Sequence, residues 1–204
     1  MTALKTRHSL EAFLASDEFI ESRHPAIVEH ASRLRGTTDV EAAERVFRFV
    51  RDDVAHSWDI QGRRVTRTAS DVLAYREGIC YAKSHLAAAL LRAAGIPSGI
   101  CYQRLTLLDD DSAGYVIQAL NTVWLESLKR WIRFDARGNK PGIAAEFSVV
   151  EERLAFPIRA QYDEIDYFLN YPAAHPVISA ALTAHDDAQE MCREHLPAAL
   201  SDAY

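Results

Sequence analysis

Cysteine is scarce in this chain, and what there is cannot form a disulfide framework: Cys80, Cys101 and Cys192 are odd in number and far apart in 204 residues. They read as reduced thiols of a cytoplasmic protein. The same spacing offers neither a C-x-x-C nor an H-x-x-x-H pair, so no zinc site is expected, and nothing implies a cofactor. A basic block is also missing. With 23 Lys+Arg against 29 Asp+Glu, the formal charge of −6 gives none of the counterion-releasing footprint that DNA or RNA binding needs. Long apolar runs are absent too, which excludes a bilayer-spanning helix. The polar start, Met1 to His8, runs into Asp17, Glu18 and Glu21 and leaves no apolar stretch for a secretory signal. Repeats and low-complexity segments are lacking, so a single cytoplasmic domain without membrane or nucleic-acid partners is expected.

What is present suits one full core: 49% of residues are hydrophobic and 25% charged. The first third reads helical. Ser9–Leu14 is short, Pro25–Leu34 opens with proline in its first turn and closes at Gly36, and Thr38-Asp-Val-Glu41 forms a capping box. After that box Val40, Ala43, Val46, Phe47 and Val50 share one helical face. Ser57 to Arg67 is a polar connection, and Thr68-Ala-Ser-Asp71 starts a short helix ending at Gly78. From Cys80 to Ala94 nearly every residue is a good helix former, with Ala87, Leu90, Leu91 and Ala94 as an apolar stripe, before Gly95 and Pro97 stop the helix.

Beyond that helix the period changes from 3.6 to 2. Ser98–Thr106, Gly114–Leu125 and Trp131–Asp135 read as strands, joined by a turn at Asp109-Asp-Asp-Ser112 and a hairpin loop over Glu126–Arg130. The fold class is α+β, helices first and an antiparallel sheet after. The core spans about residues 38–142, with a C-terminal helical extension over 143–204. Within the extension, Val149–Leu154 suggests a short helix, Tyr162–Tyr171 is aromatic and acidic, and Pro176–Leu196 looks helical.

Position separates the three thiols. Glu77-Gly78-Ile79 delivers Cys80 to the first turn of a helix, where free N–H groups and the macrodipole favour an anion, lower a thiol's pKa and can also hold an oxyanion. Cys80 is therefore either a nucleophile or a small packed side chain, and the local pattern leaves both open. Cys101 lies mid-strand and Cys192 in a charged helix; neither is assigned chemistry.

GICYAKSHLAAALLRAAGIPSGICYQRL, followed by a hairpin ending in WIRFDARGNKPG, resembles the core of the transglutaminase-like superfamily: Gly-x-Cys at a helix start, an apolar helix ending LLRxxGIP, a strand carrying a histidine and a neighbouring strand ending in Asp. The match runs from Phe49 to Gly142. The resemblance implies a papain-like Cys-His-Asp triad that makes and resolves a thioester with a peptide, protein or small acyl substrate. In that triad Cys80 is the nucleophile and Asp135 the orienting acid, and a calcium-dependent cross-linker's extra ligands are not present. Where related bacterial strands resemble HGLNAVYL, this one reads Gln118-Ala-Leu-Asn-Thr-Val-Trp-Leu125, so the histidine position holds Gln118.

A hairpin centred between Ser127 and Leu128 sets Asp135 opposite Leu120, which makes Gln118 and Asp135 diagonal neighbours roughly 7–8 Å apart. Glutamine has no proton to exchange near neutral pH and cannot serve as the general base. Three explanations stand: an inactivating replacement, a site with altered chemistry, or a domain that binds without turnover. His85, five residues past Cys80, is about 140° around the helix and is expected to be solvated; His56 is expected to cap the preceding helix, and His24, His175 and His195 to be structural. Tyr81 and Gln103 are candidates to meet an acyl oxygen, Asn121 and the Asp135–Asn139 run to hold the loop, and Trp58, Trp124 and Trp131 to wall a cleft or fill the core.

Overall fold

A computed structural model describes residues 4–107 and 112–201; Asp109, Asp110 and Asp111 of the expected turn lie outside them. A 3₁₀ turn at Leu10–Leu14 precedes α1 (Pro25–Arg33), whose first turn is capped by the His24 ring accepting the Ala26 N–H at 3.3 Å. Helix α2 (Asp39–Asp52) begins with half of the expected capping box. Thr38 Oγ1 accepts the Glu41 N–H at 3.1 Å, but the Glu41 carboxylate reaches one residue further back, to the N–H and hydroxyl of Thr37 at 2.6 and 2.7 Å. The complete box forms at Thr68 and Asp71, at the start of α3 (Ala69–Tyr75).

That short helix stops at Arg76 in the left-handed region (φ 55°), not at Gly78. Glu77–Gly78 is thereby free to form strand β2, paired in parallel with β1 (Ala55–His56), a two-stranded element that flanks the expected Ser57–Arg67 connection and takes the end of the expected helix. Next comes α4 (Cys80–Ala93), buried from Cys80 to Arg92 on every side and not along one stripe, because α1, α2 and α3 surround it and the sheet closes the remaining face. Polar side chains survive there only by bonding to backbone: Ser84 to Cys80 O, His85 to Arg67 O, Lys83 to Val54 O and Arg137 O, and Arg92 to Ser98 O, Ala15 O and Pro172 O.

The sheet runs β5-β4-β3-β6, all antiparallel: β3 (Ser98–Thr106), β4 (Tyr115–Leu125), β5 (Arg130–Phe134) and β6 (Ile165–Asp166). Alternation divides its faces. Ile100, Tyr102, Ile117, Ala119, Val123, Ile132 and Phe134 join the helical core. On the other face Arg133 of β5 reaches across to Asp166 of β6 and also pairs with Glu152. β6 is a fourth strand drawn from the aromatic, acidic Tyr162–Tyr171 stretch, too short to show a period.

Two expected helices differ. Val149–Leu154 is not helical, because Ser148 Oγ takes the N–H groups of Val150 and Glu151 and Glu146 pairs with Arg153 instead. Pro176–Leu196 is two helices, α5 (Pro176–Ala184) and α6 (Ala188–Glu194): His185 is extended, and Asp187 restarts the chain by accepting from Gln189 and Glu190.

Candidate active site

Cys80 is the first residue of α4, and Ile79 before it offers no side-chain cap. The β1–β2 pair fixes the approach: Ala55 N–H donates to Arg76 O at 2.8 Å and Ser57 N–H to Gly78 O at 3.2 Å. Glycine at position 78 leaves room for Thr66, since a Cβ there would lie 2.9 Å from Thr66 Oγ1, itself bonded to Glu77 O, and would push that hydroxyl aside.

On the sheet, β5 pairs with β4 only from Asn121 to Leu125, then leaves. N–H groups of alternate residues point to one side of a strand, so those of Ile117 and Ala119 face the space that β5 vacates. The Ala119 N–H points at the Cys80 thiol, and the Ile117 N–H donates to Pro197 O at 3.0 Å. The register Asn121↔Phe134 is the expected one, and Gln118 Nε2 donates to Asp135 Oδ2 at 3.2 Å. Asp135 Oδ1 accepts the Arg137 N–H at 2.9 Å. Gln118 is 7% exposed, Asp135 1% and Cys80 8%. Among the described residues no hydrogen bond joins Gln118 to Cys80.

Burial, not the helix start, governs the thiol. Loss of solvent pushes the Cys80 pKa up to about 12, with Asp135 adding to the rise, while the Ala119 N–H and Arg137 oppose it. That displacement from 9.0 is worth about 4 kcal/mol, against the ~0.3–1 kcal/mol of a helix terminus. The expectation of a lowered thiol pKa is overturned in this conformation. Burial likewise raises Asp135 above the usual carboxylate range, against hydrogen bonds from Arg137 and Gln118.

Beside the site lies a charged cluster that the sequence reading missed. Lys83, three residues after Cys80, holds Val54 O at 2.5 Å and Arg137 O at 2.8 Å, tying the Cys80 helix to the Asp135 loop. Burial lowers its pKa to about 7, partly offset by Asp135. Arg137 pairs with Asp59 at 2.8 and 3.1 Å, and Lys140 with Asp59 at 2.6 Å. A lysine inside an apolar helix was the available signal, because lysine is almost never fully buried unless paired.

His56 is in β1 and caps no helix; burial, then Arg137 and Lys83, lower its pKa to about 3 and keep it neutral. His85 points away from Cys80 but is fully buried, not solvated, with Nδ1 2.8 Å from Arg67 O. Tyr81 is unavailable to an acyl oxygen, since its buried hydroxyl donates to Ile117 O at 2.9 Å. Gln103 stands directly across from Gln118, buried, with Nε2 3.5 Å from Asp166. Asn121 donates to Ser84 O at 2.9 Å and joins α4 to the sheet, while Asn139 bonds both Ala145 O and N and holds the loop. Trp58 is 36% exposed with Arg193 over its ring. Trp124 and Trp131 pack on each other on the β4–β5 hairpin, beyond the Asn121↔Phe134 pair and so away from Gln118. Cys101 is fully buried mid-strand. Among the described residues no group of three or more His, Cys, Asp or Glu is placed to hold a metal ion, and no helix is long and apolar enough to cross a membrane.

A thiol at a helix start, packed against a strand whose next side chain meets an aspartate on the neighbouring strand, defines a papain-like α+β arrangement. The family model of the transglutaminase-like superfamily matches residues 29–136, more than half of the chain, and the chain belongs to that superfamily. No curated protein matches it. Among solved structures it is similar to a protein from Cytophaga hutchinsonii provisionally assigned as a cysteine protease, at 22% identity and a TM-score of 0.51, over 63% of this chain and 42% of that one. It also matches the periplasmic domain of TgpA from Pseudomonas aeruginosa (16% identity, TM-score 0.47, 64% and 48% covered) and a TGase (16%, 0.39, 71% and 37%). The chain thus spans less than half the length of these solved proteins, and the first of them supports the fold.

Proposed function

We propose that this chain carries a thiol acyl site in which Cys80 attacks an amide or thioester carbonyl of a peptide, protein or small acyl substrate, for hydrolysis or transfer. The Gln118–Asp135 hydrogen bond supports this reading, because it sets the side chain of the histidine slot against the carboxylate expected to orient it, one of the two contacts a triad needs. Cys80 Sγ would add to the carbonyl carbon as its thiol proton passes to solvent water, the N–H groups at the start of α4 would stabilise the oxyanion, and the amine or thiol would leave with a proton taken back from water, giving a thioester for water or an acceptor to resolve. Gln118 orients but moves no proton. A second reading, a binding module without turnover, is favoured by that glutamine together with the raised Cys80 pKa.

One comparison separates them: the pH profile of Cys80 alkylation, and turnover of small amides and esters, in the native chain and in Gln118→His. The thiol-site reading expects the native Cys80 rate to keep rising past pH 9, and the histidine variant to shift the profile to lower pH and gain turnover. General acid–base catalysis supports a gain on the order of a hundredfold or more. An unchanged profile and no turnover in the histidine variant leave the binding module standing.

A further inference from the structure

Between Glu194, where α6 ends, and Ser201 the chain lies irregularly alongside the site, held at several points. The Pro197 carbonyl accepts the Ile117 N–H at 3.0 Å, the Leu200 N–H reaches the Tyr167 hydroxyl at 3.5 Å, and the Ser201 backbone meets the His175 ring. Leu196 and Leu200 pack against the core cluster that includes Cys80. Ile117 and Ala119 are two residues apart on one strand, so the bond to Pro197 sits roughly 6.6 Å, one strand repeat, from the N–H facing the thiol.

An unpaired strand edge is a template for an extended peptide. Here the occupant is the protein's own chain, and its hold is slight. One backbone bond joins it to β4 where a ladder would make several, and Arg193, Glu194, His195, Ala198, Ala199 and Ser201 are exposed. Segments with few buried contacts open at a small fraction of the global unfolding free energy.

We propose that residues 195–201 are a detachable latch: they occupy the strip of β4 beside Cys80, and an extended peptide with an apolar residue before a proline, the chemistry of Leu196-Pro197, competes for the same strip. The inference rests on the thiol site proposed above. With the latch seated, Cys80 is largely buried; with it lifted, water and substrate reach the first turn of α4.

The test is the rate of Cys80 alkylation by iodoacetamide, mapped by mass spectrometry so that Cys101 and Cys192 are scored separately, in the native chain and in Leu196→Asp/Leu200→Asp. The latch predicts a rise of about tenfold or more at Cys80 with Cys101 unchanged, consistent with local rather than global opening. Adding the peptide His-Leu-Pro-Ala-Ala-Leu should slow the variant again. Equal Cys80 rates in a folded variant overturn the latch. Should the variant fail to fold, hydrogen exchange in the native chain decides: the Ile117 amide must exchange through a smaller opening than Leu120, and exchange of both only by global unfolding overturns it. Alkylation requires no turnover, so the two proposals fail separately. A latch effect with no turnover in Gln118→His sinks the acyl chemistry alone, and turnover there without a latch effect sinks the latch alone.

Discussion

At Asp135, burial and hydrogen bonding pull in opposite directions, and burial wins: its pKa lies above the usual 3.8 despite donors from Arg137 and Gln118. The folded chain therefore holds this proton across a pH window in which the unfolded chain has released it. Protonated Asp135 favours the fold below the ordinary carboxylate value, and that contribution is lost as pH rises through the raised one. Asp135→Asn cannot titrate, so the stability of the native chain minus that of the variant should fall as pH rises above the ordinary carboxylate value in urea unfolding and level off once the folded chain has released the proton; a flat difference throughout would mean that Asp135 titrates normally. The position of Gln118 diagonal to this carboxylate was legible from the sequence, because hairpin register follows from loop length and alternation. The protonation state of Cys80 was not, since it depends on how much of the chain covers the thiol, and the local motif speaks only for the helix start.

Among the elements, β5 is tied across the sheet to β6 by one side chain. Arg133, buried on the sheet face away from the helices, spans from β5 to Asp166 of β6 at 2.5 and 2.7 Å and pairs with Glu152 at 2.7 Å. Arg133→Met strands two carboxylates in a half-dry layer and should cost about 3–5 kcal/mol, read as a lower urea midpoint at unchanged slope. Arg133→Lys should recover only part of it, because an ammonium cannot match the paired fork geometry; full recovery would show that charge alone matters there. Long elements with a clear period, α2, α4, β3 and β4, were readable in the sequence to within a residue or so. The two-residue strands β1, β2 and β6 were not. They have no period of their own and exist because α3 stops at Arg76 and because Gln103 and Arg104 of β3 offer an edge to Ile165 and Asp166.

Over the whole molecule, the least expected feature is how much of the chain outside residues 29–136 is drawn into the site. Gln189 bonds Ser57 O and Gly62 O, Arg193 covers Trp58, and Pro197 closes on Ile117. Residues so far apart in sequence meet only through tertiary packing, and their own stretch shows nothing but a broken helix. The buried guanidinium of Arg92 carries this dependence to the far end of α4, where its acceptors are the carbonyls of Ala15, Ser98 and Pro172, at 2.6, 2.7 and 2.5 Å. During synthesis Pro172 leaves the ribosome some eighty residues after Arg92, and until then a charge destined for the interior lacks part of its shell. A chain ended after Gly142, although it contains the entire family core, should therefore show no cooperative urea transition, whereas one that unfolded in a single sharp step would mean that the core closes around Arg92 unaided. The nascent protein, on this view, cannot commit its central helix to the interior until its last third has been made.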